Sequence, residues 1–246
     1  MSAVAQTPKD VATRENDAKG CEDGRAAACY NLGLDAANGA GGPKDLVAAR
    51  KAFARACDGN DAEGCFNFGV FALGGVGGSK EETNAKLAFI RSCDGGVARA
   101  CFNAGNMAEK GGPQDQEFAR KAYAAACSQG DTQGCVNLGV MLREGIGGEA
   151  DAKAARGQFN RGCDLHDMSA CRDLGLLLEG GVGGLKDVKT AVGLYEQGCN
   201  AGLAEACLTL WGVFSKGVTV PKNPEKAAAY LAQACHLGDK GACSAK

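Results

Sequence analysis

The residues of this 246-residue chain best able to do chemistry are its fourteen cysteines. Thiols can ligate metal, exchange disulfides or cross-link the fold. They stand in seven pairs, Cys21 and Cys29, Cys57 and Cys65, Cys93 and Cys101, Cys127 and Cys135, Cys163 and Cys171, Cys199 and Cys207, Cys235 and Cys243, with seven residues inside each pair. Zinc sites use C-x-x-C knuckles, which do not occur here, and two histidines, His166 and His236, cannot complete repeated sites. A thioredoxin-like centre fails for want of the same C-x-x-C. Serine β-lactamase chemistry needs S-x-x-K with S-D-N and K-T-G elements, and none is present. The neighbours Ser79-Lys80 and Ser215-Lys216 read as solvated residues in or beside loops, and Asp164, Asp167 and Asp173 as groups turned into water. The sequence therefore assigns no catalytic residue, no metal and no cofactor. Cross-linking is the use left for the thiols.

The elements that must position them repeat as well. First cysteines recur at steps of 36, 36, 34, 36, 36 and 36 residues, the mark of a solenoid. Four residues before each of them, from the second pair on, come Phe53, Phe89, Tyr123, Phe159, Tyr195 and Leu231, one helical turn behind the thiol. After the second cysteine comes YNLG, FNFG, FNAG, VNLG or RDLG, and in the sixth unit LTLW. A Gly- and Pro-rich loop such as GGVGGSKE then follows. Each unit reads as two helices, the first predicted over 61–73 and the second over 82–93 in the second unit. Asp45, Asp115, Asp151 and Asp187 stand near second-helix starts, where a carboxylate complements exposed N–H groups. Gly33, Gly69, Gly105, Gly139 and Gly175 read as points where helices approach closely.

Two cysteines eight apart on one continuous helix would lie about 12 Å from each other, whereas a disulfide needs Cα atoms roughly 4.4–6.8 Å apart. The chain must reverse between them. Three residues after the first cysteine stand Gly24, Gly96, Gly130, Gly202 and Gly238, with Asn60 and His166 in the other two units, all tolerant of the left-handed cap that ends a helix. Seven local disulfides are expected, each joining neighbouring units, with no free thiol. His236, at a helix end, complements the helix dipole.

Composition narrows the partners. With 27 Lys and Arg against 29 Asp and Glu, the chain lacks the excess of positive charge that nucleic acid or an anionic membrane surface selects. No run of 18 apolar residues suggests membrane insertion, and the first residues show neither a signal core nor a transit-peptide pattern. Residues 1–20 read as a polar cap segment, with Asp17 where later units carry the aromatic. Residues 21–246 read as about six repeats plus a truncated C-terminal unit without a cap.

The blocks, as in AEGCFNFGVFALGGVGGSKEETNAKLAFIRSC, resemble Sel-1-like repeats, which are related to tetratricopeptide repeats. The likeness is to the cysteine-rich subgroup, over about Gly20 to Cys243. That subgroup includes secreted Helicobacter cysteine-rich proteins, some described as penicillin-binding or β-lactamase-like, and a mitochondrial intermembrane-space assembly factor of cytochrome c oxidase. The resemblance implies an all-α, right-handed α-solenoid of helix-turn-helix repeats with a concave face. Fourteen cysteines in stapling positions imply an oxidising compartment. The mitochondrial intermembrane space, entered by oxidative trapping, is preferred; the other explanation is a removed secretory signal and a secreted or periplasmic location. The expected function is a non-enzymatic protein-interaction scaffold, as a subunit or assembly factor of a respiratory complex. The alternative is a periplasmic or secreted repeat protein with penicillin-binding or β-lactamase-like activity.

Two sets of residues are candidates for the partner. Asn31, Asn67, Asn103 and Asn137 recur two residues after the second cysteine, followed by Asp173 and Thr209. Such a ladder either hydrogen-bonds an extended backbone or serves the neighbouring turn. In the sixth unit Trp211, the only tryptophan, takes the place of the helix glycine, with Phe214 one turn on. These two either fill the last apolar layer or form a partner-binding edge.

Overall fold

The computed structural model describes residues 8–244. The first seven residues of the expected cap segment and the last two of the expected array lie outside that range. The helices are α1 (Pro8–Glu22), α2 (Ala26–Asn38), α3 (Leu46–Asp58), α4 (Ala62–Gly74), α5 (Glu82–Asp94), α6 (Ala98–Ala108), α7 (Pro113–Ser128), α8 (Thr132–Glu144), α9 (Ala152–Asp164), α10 (Met168–Gly180), α11 (Val188–Asn200), α12 (Ala204–Lys216), α13 (Pro224–His236) and α14 (Lys240–Ser244). No strand occurs among the described residues. A first compact unit ends at Gln129 and holds α1 to α7; a second begins at Gly130 and holds α8 to α14. Within each, helices pack chiefly on their chain neighbours, and some also touch the helix two along, as α2 does α4 and α10 does α8. This is helix-turn-helix repeat packing, in which the even-numbered A helices and odd-numbered B helices alternate.

The turn from each B helix into the next A helix is set by local chemistry. At the end of α3, Asn60 has φ 62°, its N–H donates to Cys57 O at 2.9 Å, and the next N–H, of Asp61, donates to Ala56 O at 3.0 Å. That pair of bonds is a Schellman motif. His166 at φ 66° and Gly96 at φ 89° repeat it, as the sequence predicts. The residue that closes the motif is already the N-cap of the next helix. Asp61 Oδ1 accepts from Gly64 N–H at 2.7 Å, and Asp167 Oδ1 from Ala170 N–H at 2.9 Å. No linker separates the two helices, so one cysteine near the end of the B helix and one in the first turn of the A helix face each other. Six such pairs are disulfide-bonded, with Cα atoms 4.2 to 4.7 Å apart. No cysteine among the described residues is free.

The A-to-B loop is held at two points. The N–H of the B-helix N-cap returns to the A helix, Asp45 to Ala36 O and Asp151 to Leu142 O, both at 2.8 Å. The carboxylates of Asp45, Asp151 and Asp187 then cap α3, α9 and α11. Asp115 differs: it is the third residue of α7, whose N-cap is Gly112, and its carboxylate takes Lys86 Nζ at 2.8 Å. The second hold comes from the preceding B helix, where Arg50 Nη1 donates to Ser79 O at 2.7 Å and Arg156 Nη1 to Leu185 O at 2.9 Å.

Alanines around one aromatic ring make up the core. Ala72, Ala85, Ala100 and Ala104 surround Phe89, all buried. The helix glycines explain themselves here, because a Cβ on Gly69 would sit 2.7 Å from the Phe89 ring and one on Gly175 2.5 Å from the Tyr195 ring. The approach is of a ring onto bare backbone, which fixes the distance between the A and B helices of a repeat.

Candidate partner-binding face

An A helix buries the side that carries its cysteine, its glycine and small residues such as Ala100 and Ala104, and the opposite side faces outward. The asparagines lie at equivalent places on that side: Asn31 on α2, Asn67 on α4, Asn103 on α6 and Asn137 on α8. Asn31 is exposed and the other three are half-buried. None of the four amides hydrogen-bonds to any described residue. The neighbouring turn, one of the two uses the spacing allows, therefore does not engage them. Each amide keeps donor and acceptor capacity for something outside the chain.

Beside the amides in the first unit runs a second row, Tyr30, Phe66 and Phe102, one position earlier. Each is half-buried and packs on the buried ring of its own repeat, at centroid distances of 6.2, 5.9 and 5.8 Å from Phe53, Phe89 and Tyr123. Arg99 lies over Phe66 at 4.1 Å and pairs with Glu63. This face thus offers half-covered rings next to free amides.

Asp173 takes the amide position on α10. Its side chain is 13% exposed and its carboxylate meets Arg172 Nη1 at 3.0 Å. Burial pushes its pKa up; Arg172 and Arg143 oppose that and Asp167 adds to it. A folded-state pKa above the unfolded one means that its contribution to stability is greatest below the usual carboxylate range and is lost as pH rises through the raised value. Asp173→Asn, which restores the amide, is expected to raise the melting temperature at neutral pH, and the gain should shrink in acid. A variant less stable than the parent at neutral pH would contradict this.

The structure separates the two aromatic candidates of the sixth repeat. Phe214 is buried, stacks on Tyr230 with centroids 5.8 Å apart, and has Lys226 Nζ 5.0 Å from its ring. Trp211 is 39% exposed and has no ring or hydrogen-bond partner among the described residues. His166 serves the turn, and no group of three or more His, Cys, Asp or Glu side chains among the described residues could hold a metal ion.

One pairing escapes a reading by spacing alone. Tyr123 Oη donates to Glu109 Oε2 at 2.8 Å, and Tyr195 Oη to Glu179 Oε2 at 3.0 Å. Repeats with Phe53, Phe89 or Phe159 instead carry Ala37, Leu73 or Arg143 where the glutamate would stand. A buried phenol needs an acceptor and a phenyl ring does not. Burial and then Glu179 hold the Tyr195 pKa far above the usual tyrosine value.

Stacked two-helix repeats, local staples and outward side chains without partners define a helical-repeat scaffold. The Sel1 repeat model matches residues 26–61, 98–131, 132–167, 169–203 and 209–239, more than half of the chain, which therefore belongs to the Sel1 repeat family. No curated protein matches the chain in sequence. Among solved structures, it is similar to c5321, a protective antigen present in uropathogenic Escherichia coli strains displaying an SLR fold. The two are 24% identical with TM-score 0.85 over 96% of this chain and 51% of that one. This chain thus spans about half the length of the Escherichia coli protein. A Sel1 repeat protein from Oxalobacter formigenes is 21% identical, with TM-score 0.66 over 90% of this chain and 96% of that one. Helicobacter pylori cysteine rich protein B is 26% identical, with TM-score 0.43 over 55% and 98%. No helix among the described residues is long and apolar enough to cross a membrane.

Proposed function

We propose that the protein is a non-enzymatic scaffold that holds an extended segment of a protein partner against its A helices in an oxidising compartment. The observation that carries this reading is the set of equivalent side-chain amides, three of them on successive A helices of the first unit, with no partner among the described residues. Packed helices lie about 8–10 Å apart and an extended strand advances about 3.3 Å per residue, so one amide could meet every third peptide group. The half-covered rings beside them supply apolar contact. Disulfides in the turns match an oxidising space. The mitochondrial intermembrane space, with a respiratory complex or its assembly as partner, is the setting we favour; the periplasm or secretion is the other. The penicillin-binding alternative has no support: the S-x-x-K, S-D-N and K-T-G elements are missing, and Ser215 Oγ is turned onto its own helix, donating to Gly212 O at 3.3 Å.

The test is cross-linking and co-purification from the source organism, comparing the parent with Asn31→Ala, Asn67→Ala, Asn103→Ala combined, alongside fractionation of the cell. The parent should retain a defined partner that the triple variant loses while its circular dichroism is unchanged. Equal capture by both would remove the amide face from the function, and recovery from a reducing compartment with open thiols would remove the location.

A further inference from the structure

The sixth repeat breaks the surface pattern of the others at two adjacent positions. Trp211 replaces the glycine that receives the ring, and Gly212 replaces the residue that is Leu34, Val70, Asn106, Val140 and Leu176 in the earlier repeats. A glycine inside a helix costs about 1 kcal/mol relative to alanine, and it is usually repaid by a close approach or a positive φ. Gly212 has neither, for a Cβ built on it meets nothing within 4 Å. Above it opens a cleft of about 340 Å³, walled by Leu208, Trp211 and Val218. Val218 is 83% exposed although it is aliphatic. Where other repeats present a side chain, this one presents a hole.

The two charged groups on the rim of the cleft, Glu179 and Lys216, differ in what already engages them. Glu179 lies on it, but its Oε2 already accepts from Tyr195 and its Oε1 from Thr219 Oγ1 at 2.7 Å. Lys216, also on the rim, makes no ion pair with any described residue. Glu179 keeps its charge but has both oxygens engaged, so Lys216 is the rim charge still without a partner, next to an apolar wall with an indole face. We propose that this cleft is a specificity pocket that receives one bulky apolar side chain of the partner segment, with an acidic side chain next to it to pair with Lys216. The proposal rests on the scaffold reading and adds to it what the segment must contain. Thr209, at the amide position of the same helix, also lines the cleft, so a segment following the equivalent positions of the second unit, Asn137, Asp173 and Thr209, would pass over the pocket.

The probe is a random peptide library displayed on phage, selected on the immobilised full chain. Enriched peptides should share a Phe, Tyr, Trp, Leu or Met with an Asp or Glu within two positions. As synthetic peptides they should shift the emission of Trp211, the sole tryptophan, in a saturable way. Gly212→Leu fills the cleft with the kind of side chain other repeats carry, and it should weaken these peptides at least about tenfold with melting temperature unchanged or raised. Lys216→Gln should weaken acidic peptides and leave their alanine-substituted versions unaffected. The proposal is overturned if no peptide is enriched, if the enriched peptides lack the apolar–acidic pair, or if Gly212→Leu binds them as the parent does. Peptides that ignore Gly212→Leu but are lost with Asn137→Ala would sink the pocket and leave the scaffold standing. Peptides indifferent to both variants would sink the two together.

Discussion

Excess reductant is expected to unfold the protein at moderate temperature, with a loss of helical circular dichroism that the oxidised protein shows only on stronger heating. A repeat in such an array buries its apolar surface only against its neighbours. Here that surface is mostly alanine around a single ring, as with Ala36, Ala49 and Phe53 in the first repeat. Each staple closes a short loop and contributes about 2–3 kcal/mol in the chain-entropy model. A single open pair, Cys57→Ser with Cys65→Ser, should therefore cost about that much and broaden the melt, since the fault is local to one turn. Full reduction removes every staple at once. Unchanged melting in reductant would show that ring and alanine packing suffice alone.

Opening the ring-on-glycine contact is the second large effect. Tyr195→Ala is expected to cost about 3–5 kcal/mol, the usual toll for deleting a buried aromatic, and it also strips Glu179 of one of its donors. Gly175→Ala places a methyl 2.5 Å from the same ring, and the ring, fully buried, has little room to retreat. Overpacking of this kind costs about 1–3 kcal/mol. Because both changes act on one contact, the double variant should be less damaging than the sum of the two, by about 1 kcal/mol or more in a denaturation cycle. Additive costs would mean that ring and glycine are independent. The protein contains its own precedent, since the sixth repeat has Trp211 in place of the glycine and Leu231 in place of the ring.

What could be read from the sequence was what is encoded locally. The reversal between paired cysteines followed from Asn60, His166 and the glycines at the same offset, because a Schellman turn is decided by one residue's tolerance of positive φ. The bounds of α4 and α5 fell within one residue of expectation for the same reason. The reach of Arg50 into the loop around Ser79 was not legible. Two of its acceptors, Val76 O and Ser79 O, are backbone carbonyls, which leave no trace in residue type, and its carboxylate partner Glu81 stands in the next repeat. The Tyr–Glu pairs did leave one, as glutamate accompanies Tyr123 and Tyr195 and is absent beside Phe53, Phe89 and Phe159, but reading it requires knowing which helices face each other. In the candidate face, the asparagine row was visible as spacing, while the freedom of its amides and the hole above Gly212 emerge only from packing. Phe214 and Trp211, about one turn apart on the same helix and alike in type, differ in burial because Phe214 stacks on Tyr230 while Trp211 has no ring beside it, which spacing does not show.

The turn that joins each pair of repeats also bears on how the chain would behave under load. Each disulfide spans a sequence separation of eight, closing a covalent short cut across the reversal. A pull applied to the ends is carried through sulfur rather than through the Schellman bonds, so the seven residues inside a pair never enter the line of force. Only the helices and loops between successive pairs can pay out, in increments set by the repeat length. Stretched in an oxidising environment, the array would lengthen in nearly equal steps and stop short of its contour, and its turns would survive as ready-made nuclei for recoil.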